Sequence, residues 1–227
     1  MSAKKILAII NAEIHTIAQK EPIQGSILVE DGKIAAVGQV EIPAEADIID
    51  AAGASVYPGF IDPHTHLGVS EQGMGWEGRD YNEATDPVTT QLRALDAINP
   101  LEDGFREARE AGITTVMSAP GSANILGGST AVLKTGGGLL HQRVIKENAG
   151  MKAALGENPK RVYSGQKRIP STRMGSAALL REALVNAQNY MHKIKRAGED
   201  PEKMPPRDLK NEALIPVLKK EVPLRMH

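Results

Sequence analysis

The chain contains no cysteine among its 227 residues. Disulfide bonds, thiolate metal sites and a cysteine nucleophile are therefore excluded. Any transition metal that the protein binds must be held by His, Asp or Glu. The absence of cysteine also fits a reducing compartment.

An excess of charge of either sign is absent as well, since 27 basic and 28 acidic residues give a formal net charge of -1. This balance does not indicate nucleic acid or an anionic membrane as a partner. No stretch approaches the ~20 apolar residues of a membrane-spanning helix. Asn11 and Glu13 interrupt the apolar run behind the basic start too early for a signal peptide. We predict a soluble, cytoplasmic protein, and the sequence leaves open whether it forms a homo-oligomer.

Short β-strands are predicted in residues 1–55. Residues 6–10 and 26–30 are rich in Ile, Val and Leu, which favour strands. The dipeptide Asp31-Gly32 separates the second of these runs from an apolar run at 34–37, which predicts a tight β-hairpin. These strands are too few to close a stable sheet, so we expect them to pair with strands from elsewhere.

From residue 56 onward, predicted strands alternate with predicted helices. The predicted elements are a strand at 56–61, a helix capped by Asn99 and ended by Gly112, strands at 113–117 and 151–155, a long helix capped by Ser176, a helix near 208–219 and a strand starting at 222. Such alternation indicates parallel βα units, as in an α/β barrel or a doubly wound sheet. A (β/α)₈ barrel needs about 250 residues, so we predict an incomplete TIM barrel.

Two histidines follow an apolar strand in Pro-Gly-Phe-Ile-Asp-Pro-His-Thr-His, residues 58–66. Side chains alternate along a strand, so His64 and His66 share a face about 6–7 Å apart and could reach one metal ion. Asp62 lies on that face and could orient a histidine. In α/β barrels the active site lies at such strand ends. The alternative is a pair of surface histidines after a turn, which the preceding apolar strand makes less favourable.

These residues resemble the metal-dependent amidohydrolase superfamily. Residues 25–34 resemble the N-terminal β-sandwich half of these enzymes, and residues 50–66 resemble their entry into the first barrel strand. Gly121-Ser122-Ala123-Asn124 and Arg161-Val162-Tyr163 resemble the imidazolonepropionase-related branch. The resemblance implies a TIM barrel flanked by a small β-sandwich built from both chain ends. Residues 1–55 would then form part of the composite sandwich, and residues 56–227 the first part of the barrel.

The resemblance also implies one or two divalent metal ions, most often Zn²⁺. These activate a water molecule that attacks the carbonyl of a small-molecule amide or cyclic amide and so hydrolyses a non-peptide C–N bond. His64 and His66 correspond to the first-strand ligands, and His227 matches a later ligand, with a disordered terminal residue as the alternative. The third strand supplies a carboxylated lysine or a glutamate. Lys152 is expected at the buried start of its strand, so Glu157 is the candidate, with a solvated loop glutamate as the alternative.

Some of the family's residues are expected beyond residue 227, namely a His from the sixth barrel strand and the general-base Asp from the eighth. The catalytic base is therefore not assigned, and we expect residues 1–227 alone to have no turnover. Arg173 is a candidate for binding a substrate carboxylate, with an ordinary surface charge as the alternative. Gly127-Gly128-Ser129-Thr130 and residues 136–138 lack the Walker pattern and are predicted to be loops.

Two alternative functions remain open at this stage. The first is a non-catalytic homologue that serves as an assembly module, and the second is a metal-binding protein without chemistry. Zinc content would test the first, and a panel of amide substrates would test the second.

Overall fold

The computed structural model describes residues 5–227, and the first four residues of the charged start lie outside that range. The chain separates into two compact units, one ending at Gly59 and the other spanning Phe60–His227. Each unit contains one five-stranded sheet, and helices are present in the second unit, so the fold class is mixed α/β. The assignment of these units to a composite sandwich and a barrel remains a prediction.

The first unit is built on one long strand. Its strands are β1 (Ile6–Ile14), β2 (Ile23–Glu30), β3 (Lys33–Gly38), β4 (Asp47–Asp50) and β5 (Ser55–Val56). Strand β2 pairs antiparallel with β1 and β3, whereas β4 and β5 run parallel to β1. The predicted hairpin between β2 and β3 is confirmed. Asp31 and Gly32 have φ values of 50° and 76°, as a two-residue hairpin turn requires.

A bulge at Asn11 divides β1 into two parts. Asn11 has a φ of 53°, and the pairing with β2 shifts register between Ile9 and Ala12. The extra residue reverses the alternation of side chains. Ile6 therefore packs in one apolar cluster and Ile14 in another. Both faces of this sheet carry buried apolar side chains.

The second unit contains the helices and the remaining strands. Its elements are β6 (Phe60–Thr65), a 3₁₀ helix (Ala94–Ala97), α1 (Asp103–Glu110), β7 (Ile113–Ser118), β8 (Leu126–Lys134), α2 (Leu140–Arg143), β9 (Val144–Ala153), α3 (Glu157–Gly165), α4 (Arg173–Ala197), α5 (Leu209–Glu212), α6 (Ile215–Leu218) and β10 (Leu224–Met226). The strand order in its sheet is β6-β7-β8-β9-β10. No helix in residues 5–227 is long and apolar enough to span a membrane.

The sheet of the second unit is mixed rather than all parallel. Strands β6 and β7 are parallel, as are β9 and β10, but β8 is antiparallel to both of its neighbours. The prediction of a loop at residues 127–130 is wrong, because these residues lie within β8. Gly128 has a φ of 118°, and a Cβ there would lie 2.5 Å from the Leu92 carbonyl oxygen, so this position needs glycine. An incomplete barrel would have an uninterrupted series of parallel strands joined by helices. That prediction is therefore not confirmed.

Several predicted boundaries also shift. The strand predicted at 56–61 is broken at Pro58-Gly59, with β5 before the break and β6 after it. The long helix is capped by Thr172, whose Oγ1 accepts a hydrogen bond from the Gly175 N–H at 3.1 Å, and Ser176 lies buried inside the helix. The helix predicted near 208–219 consists of α5 and α6, and α1 begins at Asp103 rather than after Asn99.

Helices cover one face of the second sheet. Phe105 of α1 packs with Val116 of β7, and Ala187 of α4 packs with Met151 and Ala153 of β9. Because side chains alternate along a strand, Lys152 lies on the opposite face of β9 from these two residues. The packing of α4 therefore determines which way Lys152 points.

A buried carboxylate ties the start of α1 to the loop behind β6. Glu102 immediately precedes the helix, and its Oε2 accepts a hydrogen bond from the Gly68 N–H at 2.6 Å. Its side chain is buried, and this burial raises the pKa of Glu102 above its ordinary value of 4.5. The folded protein therefore holds this proton more tightly than the unfolded chain does.

We predict that the contribution of Glu102 to the free energy of unfolding decreases as pH rises from 4.5 through its raised pKa. In that window the folded state binds more protons than the unfolded state, so raising the pH favours unfolding. Glu102→Gln keeps an acceptor for Gly68 and should remove this part of the pH dependence. Urea unfolding from pH 4 upward measures it. An unchanged slope in the variant would contradict the assignment, and the exposed Glu199→Gln is the matched control.

Candidate metal centre

Four strands of the second sheet end at the same edge. Strands β6, β7, β9 and β10 all run in one direction, since the single antiparallel strand lies between β7 and β9. His64 lies near the end of β6, His66 directly after it, and Lys152 near the end of β9. His227 follows β10, and its backbone N–H donates to the Ala153 carbonyl at 2.9 Å. The topology therefore gathers these four side chains.

The structure brings together three of the imidazoles selected from the sequence. The ring centroids of His64 and His66 are 5.9 Å apart, and those of His64 and His227 are 6.4 Å apart. His64 is exposed and His66 is half-buried. Asp62 accepts a hydrogen bond from the backbone N–H of His64 at 3.0 Å rather than from a histidine ring.

The ring of His66 is fixed in one tautomer. Its Nδ1 donates to the carbonyl oxygen of Ala119, which directly follows β7, at 2.8 Å. Because Nδ1 carries the proton, the lone pair of Nε2 is available to a cation. His66 therefore has the form of a metal ligand.

Lys152 faces His64, which corrects the expected position of this lysine. Strand β9 starts at Val144, so Lys152 lies near its C-terminal end and not at its start. The side chain is 1% exposed, and its Nζ lies 3.2 Å from His64 Nε2. Burial lowers the pKa of Lys152. Burial, followed by the charge of Lys152, lowers the pKa of His64 below its ordinary value of 6.5.

Glu157 and Arg173 have other surroundings. Glu157 is the first residue of α3, its side chain is 79% exposed, and it forms an ion pair with Arg161 at 3.1 Å. Arg173 is the exposed first residue of α4. The predicted roles of Glu157 as a metal ligand and of Arg173 as a substrate ligand stay predictions.

The donors at this edge fit a cation in their chemistry. His66 presents a free Nε2, and His64 Nε2 already faces the buried ammonium of Lys152. Imidazole nitrogens are common ligands of zinc and other transition metals. Within residues 5–227, however, no three His, Asp or Glu side chains are close enough together to hold a metal ion. The histidines therefore provide donors, while the Lys152 ammonium stands where a further ligand would be needed.

The second unit contains a cavity of about 630 Å³, of which His66 is not a lining residue. Tyr81 lines it and stacks on the His66 ring, with centroids 5.4 Å apart and an interplanar angle of 25°. Pro120, which follows β7, and Gly127, at the start of β8, also line it. Trp76, the chain's single tryptophan, is 81% exposed at its rim. The cavity has room for a small molecule, and Tyr81 connects its wall to the His66 ring.

The two segments that resemble the imidazolonepropionase-related branch contact each other. The buried Tyr163 hydroxyl donates to Asn124 Oδ1 at 2.6 Å, and the Asn124 amide donates to Thr89 Oγ1 at 2.7 Å. Asn158, beside the second segment, donates to Ser122 Oγ at 2.7 Å. Burial raises the pKa of Tyr163 to about 12, so its hydroxyl keeps its proton. These segments therefore brace the loops around the cavity.

Known proteins resemble this chain over most of its length. The crystal structure of an amidohydrolase from Thermotoga maritima matches 97% of the chain at 41% identity with a TM-score of 0.92. The amidohydrolase tasK of Hapsidospora irregularis is 34% identical over 89% of the chain, and an imidazolonepropionase of Geobacillus is 32% identical over 80%. No protein-family model matches the chain.

The matches cover only part of the relatives. The chain spans 57% of the Thermotoga chain, 23% of tasK and 42% of the Geobacillus imidazolonepropionase. Fold, histidine motif and matches together define an amidohydrolase-type protein. The chain belongs to the amidohydrolase superfamily, and imidazolonepropionases are among its relatives, as the sequence resemblance indicated.

We predict that Lys152→Met stabilises the folded chain by about 1 kcal/mol or more at neutral pH. Met fills a similar volume without a buried charge, and replacing buried ionic groups by apolar side chains is often stabilising. Denaturant unfolding measures the change. The exposed Lys195→Met on α4 should have little effect. A destabilised Lys152→Met chain would show that the contact with His64 outweighs the cost of burying the charge.

Proposed function

We propose that this chain provides the metal-binding strand ends of an amidohydrolase that cleaves C–N bonds other than peptide bonds. The observation that carries the proposal is the convergence of His64, His66 and His227 on one sheet edge, with Lys152 Nζ 3.2 Å from His64 Nε2. The membership in the superfamily supports it, because relatives are named imidazolonepropionase and allantoinase. We extend the incomplete-barrel architecture to this chain as part of the same proposal.

The roles of the chain's own residues follow from their contacts. His64 and His66 would hold a divalent cation such as Zn²⁺, which imidazole nitrogens commonly bind, and His227 would add a third imidazole. A divalent cation bound there supplies a water nucleophile at neutral pH and polarises an amide carbonyl. Ala119 keeps His66 in the tautomer that exposes Nε2, and the cavity beside Tyr81 would hold the amide substrate.

Lys152 takes part in the proposal in one of two forms. As an ammonium ion it competes with a metal for His64 Nε2. Its lowered pKa makes the neutral amine more accessible, and a neutral amine can react with CO₂ to form a carbamate with loss of a proton. A carbamate would supply the oxygen ligand that the resemblance implies for the third strand. Glu157 is the other candidate for this ligand, and the two are distinguished experimentally.

We predict that the chain of 227 residues binds Zn²⁺ and that His64→Asn or His66→Asn weakens binding strongly. Losing a ligand should exceed the about tenfold to hundredfold cost of losing a supporting contact. Calorimetric titration of the metal-free chain, with elemental analysis of the stoichiometry, measures this. His192→Asn is the matched control, because His192 is exposed on α4. Equal zinc affinity in all of these chains would overturn the metal assignment.

The same titration separates Lys152 from Glu157. If Lys152 provides the third-strand ligand, then Lys152→Met lowers the zinc affinity in bicarbonate buffer, whereas Glu157→Gln leaves it unchanged. If Glu157 provides the ligand, the pattern reverses. Loss of the ion pair with Arg161 is not expected to matter, since that pair is exposed to solvent.

We predict that the isolated chain of residues 1–227 shows no turnover of cyclic amides or N-acyl amino acids. A general base must lie within hydrogen-bond reach of the attacking water. Of the acids near the histidines, Asp62 accepts a hydrogen bond from the His64 backbone and is therefore not directed at a water beside the imidazoles. Product formation followed by mass spectrometry tests this. Hydrolysis that His66→Asn abolishes would contradict it.

A further inference from the structure

Tyr81 restrains the face of the His66 ring. The hydrogen bond from Nδ1 to the Ala119 carbonyl fixes one ring atom, but it leaves the imidazole free to tilt about that bond. Tyr81 stacks on the ring face with centroids 5.4 Å apart and an angle of 25° between the planes. Stacking of the Tyr81 ring on the imidazole restricts this remaining tilt.

Tyr81 is itself held by the segment that follows β7. Its carbonyl oxygen accepts a hydrogen bond from the Gly121 N–H at 2.6 Å, and the next residue, Asn82, accepts one from the Ala123 N–H at 3.0 Å. A Cβ on Gly121 would lie 2.4 Å from Asn82 Oδ1 and 2.6 Å from Tyr81 Cδ2, which is closer than real Cβ contacts. Only glycine therefore lets the Tyr81 ring and the Asn82 amide approach this segment together.

We propose that Tyr81 is a positioning residue that orients His66, and that Gly121 is glycine in order to admit its ring. The orienting role rests on ring contacts alone. Its consequence for metal affinity rests on the proposed function. Tyr81 also lines the cavity, so one ring sets both the direction of His66 and the wall that a bound substrate would meet.

The first test is the proton NMR spectrum of His66 in the full chain without metal. The Tyr81 ring current should displace the His66 ring protons upfield. Tyr81→Phe should keep that displacement, because among the described residues the Tyr81 hydroxyl forms no hydrogen bond. Tyr81→Leu should abolish it, and the ring signals should broaden or shift as the imidazole gains freedom to tilt.

The second test is the zinc affinity of the same chains. Tyr81→Leu should weaken zinc binding about tenfold, as loss of a supporting contact does, while Tyr81→Phe should bind like the parent. Gly121→Ala should cause a loss at least as large, because its methyl group would displace both the Tyr81 ring and the Asn82 side chain. If Tyr81→Leu does not fold, Gly121→Ala replaces it as the test variant, and Tyr81→Phe serves as the control.

A matched control exists in the first unit, where Tyr57 stacks on His15 with centroids 4.3 Å apart. Tyr57→Leu should change neither the His66 signals nor the zinc affinity. Unchanged His66 signals in Tyr81→Leu, or zinc affinity equal to that of the parent, would overturn the proposal. If the parent chain binds no zinc, the metal assignment fails, and the NMR comparison alone decides whether Tyr81 orients His66.

Discussion

The contact between Lys152 and His64 sets the chemistry at the strand ends of the second unit. A nearly fully buried ammonium ion requires an electron-rich neighbour, and the neighbour here is a neutral imidazole at 3.2 Å. A second positive charge at that distance would be repelled by the ammonium ion. Burial, together with the charge of Lys152, therefore lowers the pKa of His64 and favours its neutral form. Met151 and Ala153 occupy the helix-covered face of β9, which leaves Lys152 no other direction.

The antiparallel strand β8 makes this arrangement possible. It lies between β7 and β9 and is antiparallel to both, so β7 and β9 run in the same direction. Their C-terminal ends therefore lie at the same edge of the sheet. The first residues of β8 lie at that edge because it runs the other way. Gly127 is among them, and a Cβ there would come within 3.8 Å of Lys152 Cγ and 3.4 Å of Pro120 Cβ. These are ordinary van der Waals distances, so Gly127 places β8 in direct reach of both the Lys152 side chain and the segment after β7.

The histidine pair and the Asp31-Gly32 hairpin were predictable, because both depend on spacing within a few residues. Lys152 was misplaced because the polar residues at 146–148 hid the first part of β9, which forms only by pairing with β8. Strand β8 was missed because Gly127 and Gly128 suggest a loop. The need for glycine at position 128 arises only in the folded chain, where the Leu92 carbonyl lies too close for a Cβ. A lysine between the apolar residues Met151 and Ala153 was the available signal, and it indicates a buried lysine. Tyr81 had no such signal, since its partner His66 lies 15 positions earlier across a loop.

The segment after β7 explains why residues far from the histidines carry a family resemblance. Gly121 and Ala123 bind the backbone and side chain of residues 81–82, and Asn124 binds the Glu83 carbonyl at 2.9 Å. Three consecutive residues, 81–83, are thus held by three residues of the segment after β7. Ala119, two residues before Gly121, accepts a hydrogen bond from His66 Nδ1. Residues 119–124 therefore fix the tautomer of His66 and also hold Tyr81 and Asn82 in the wall of the cavity. A shift of this segment would change both.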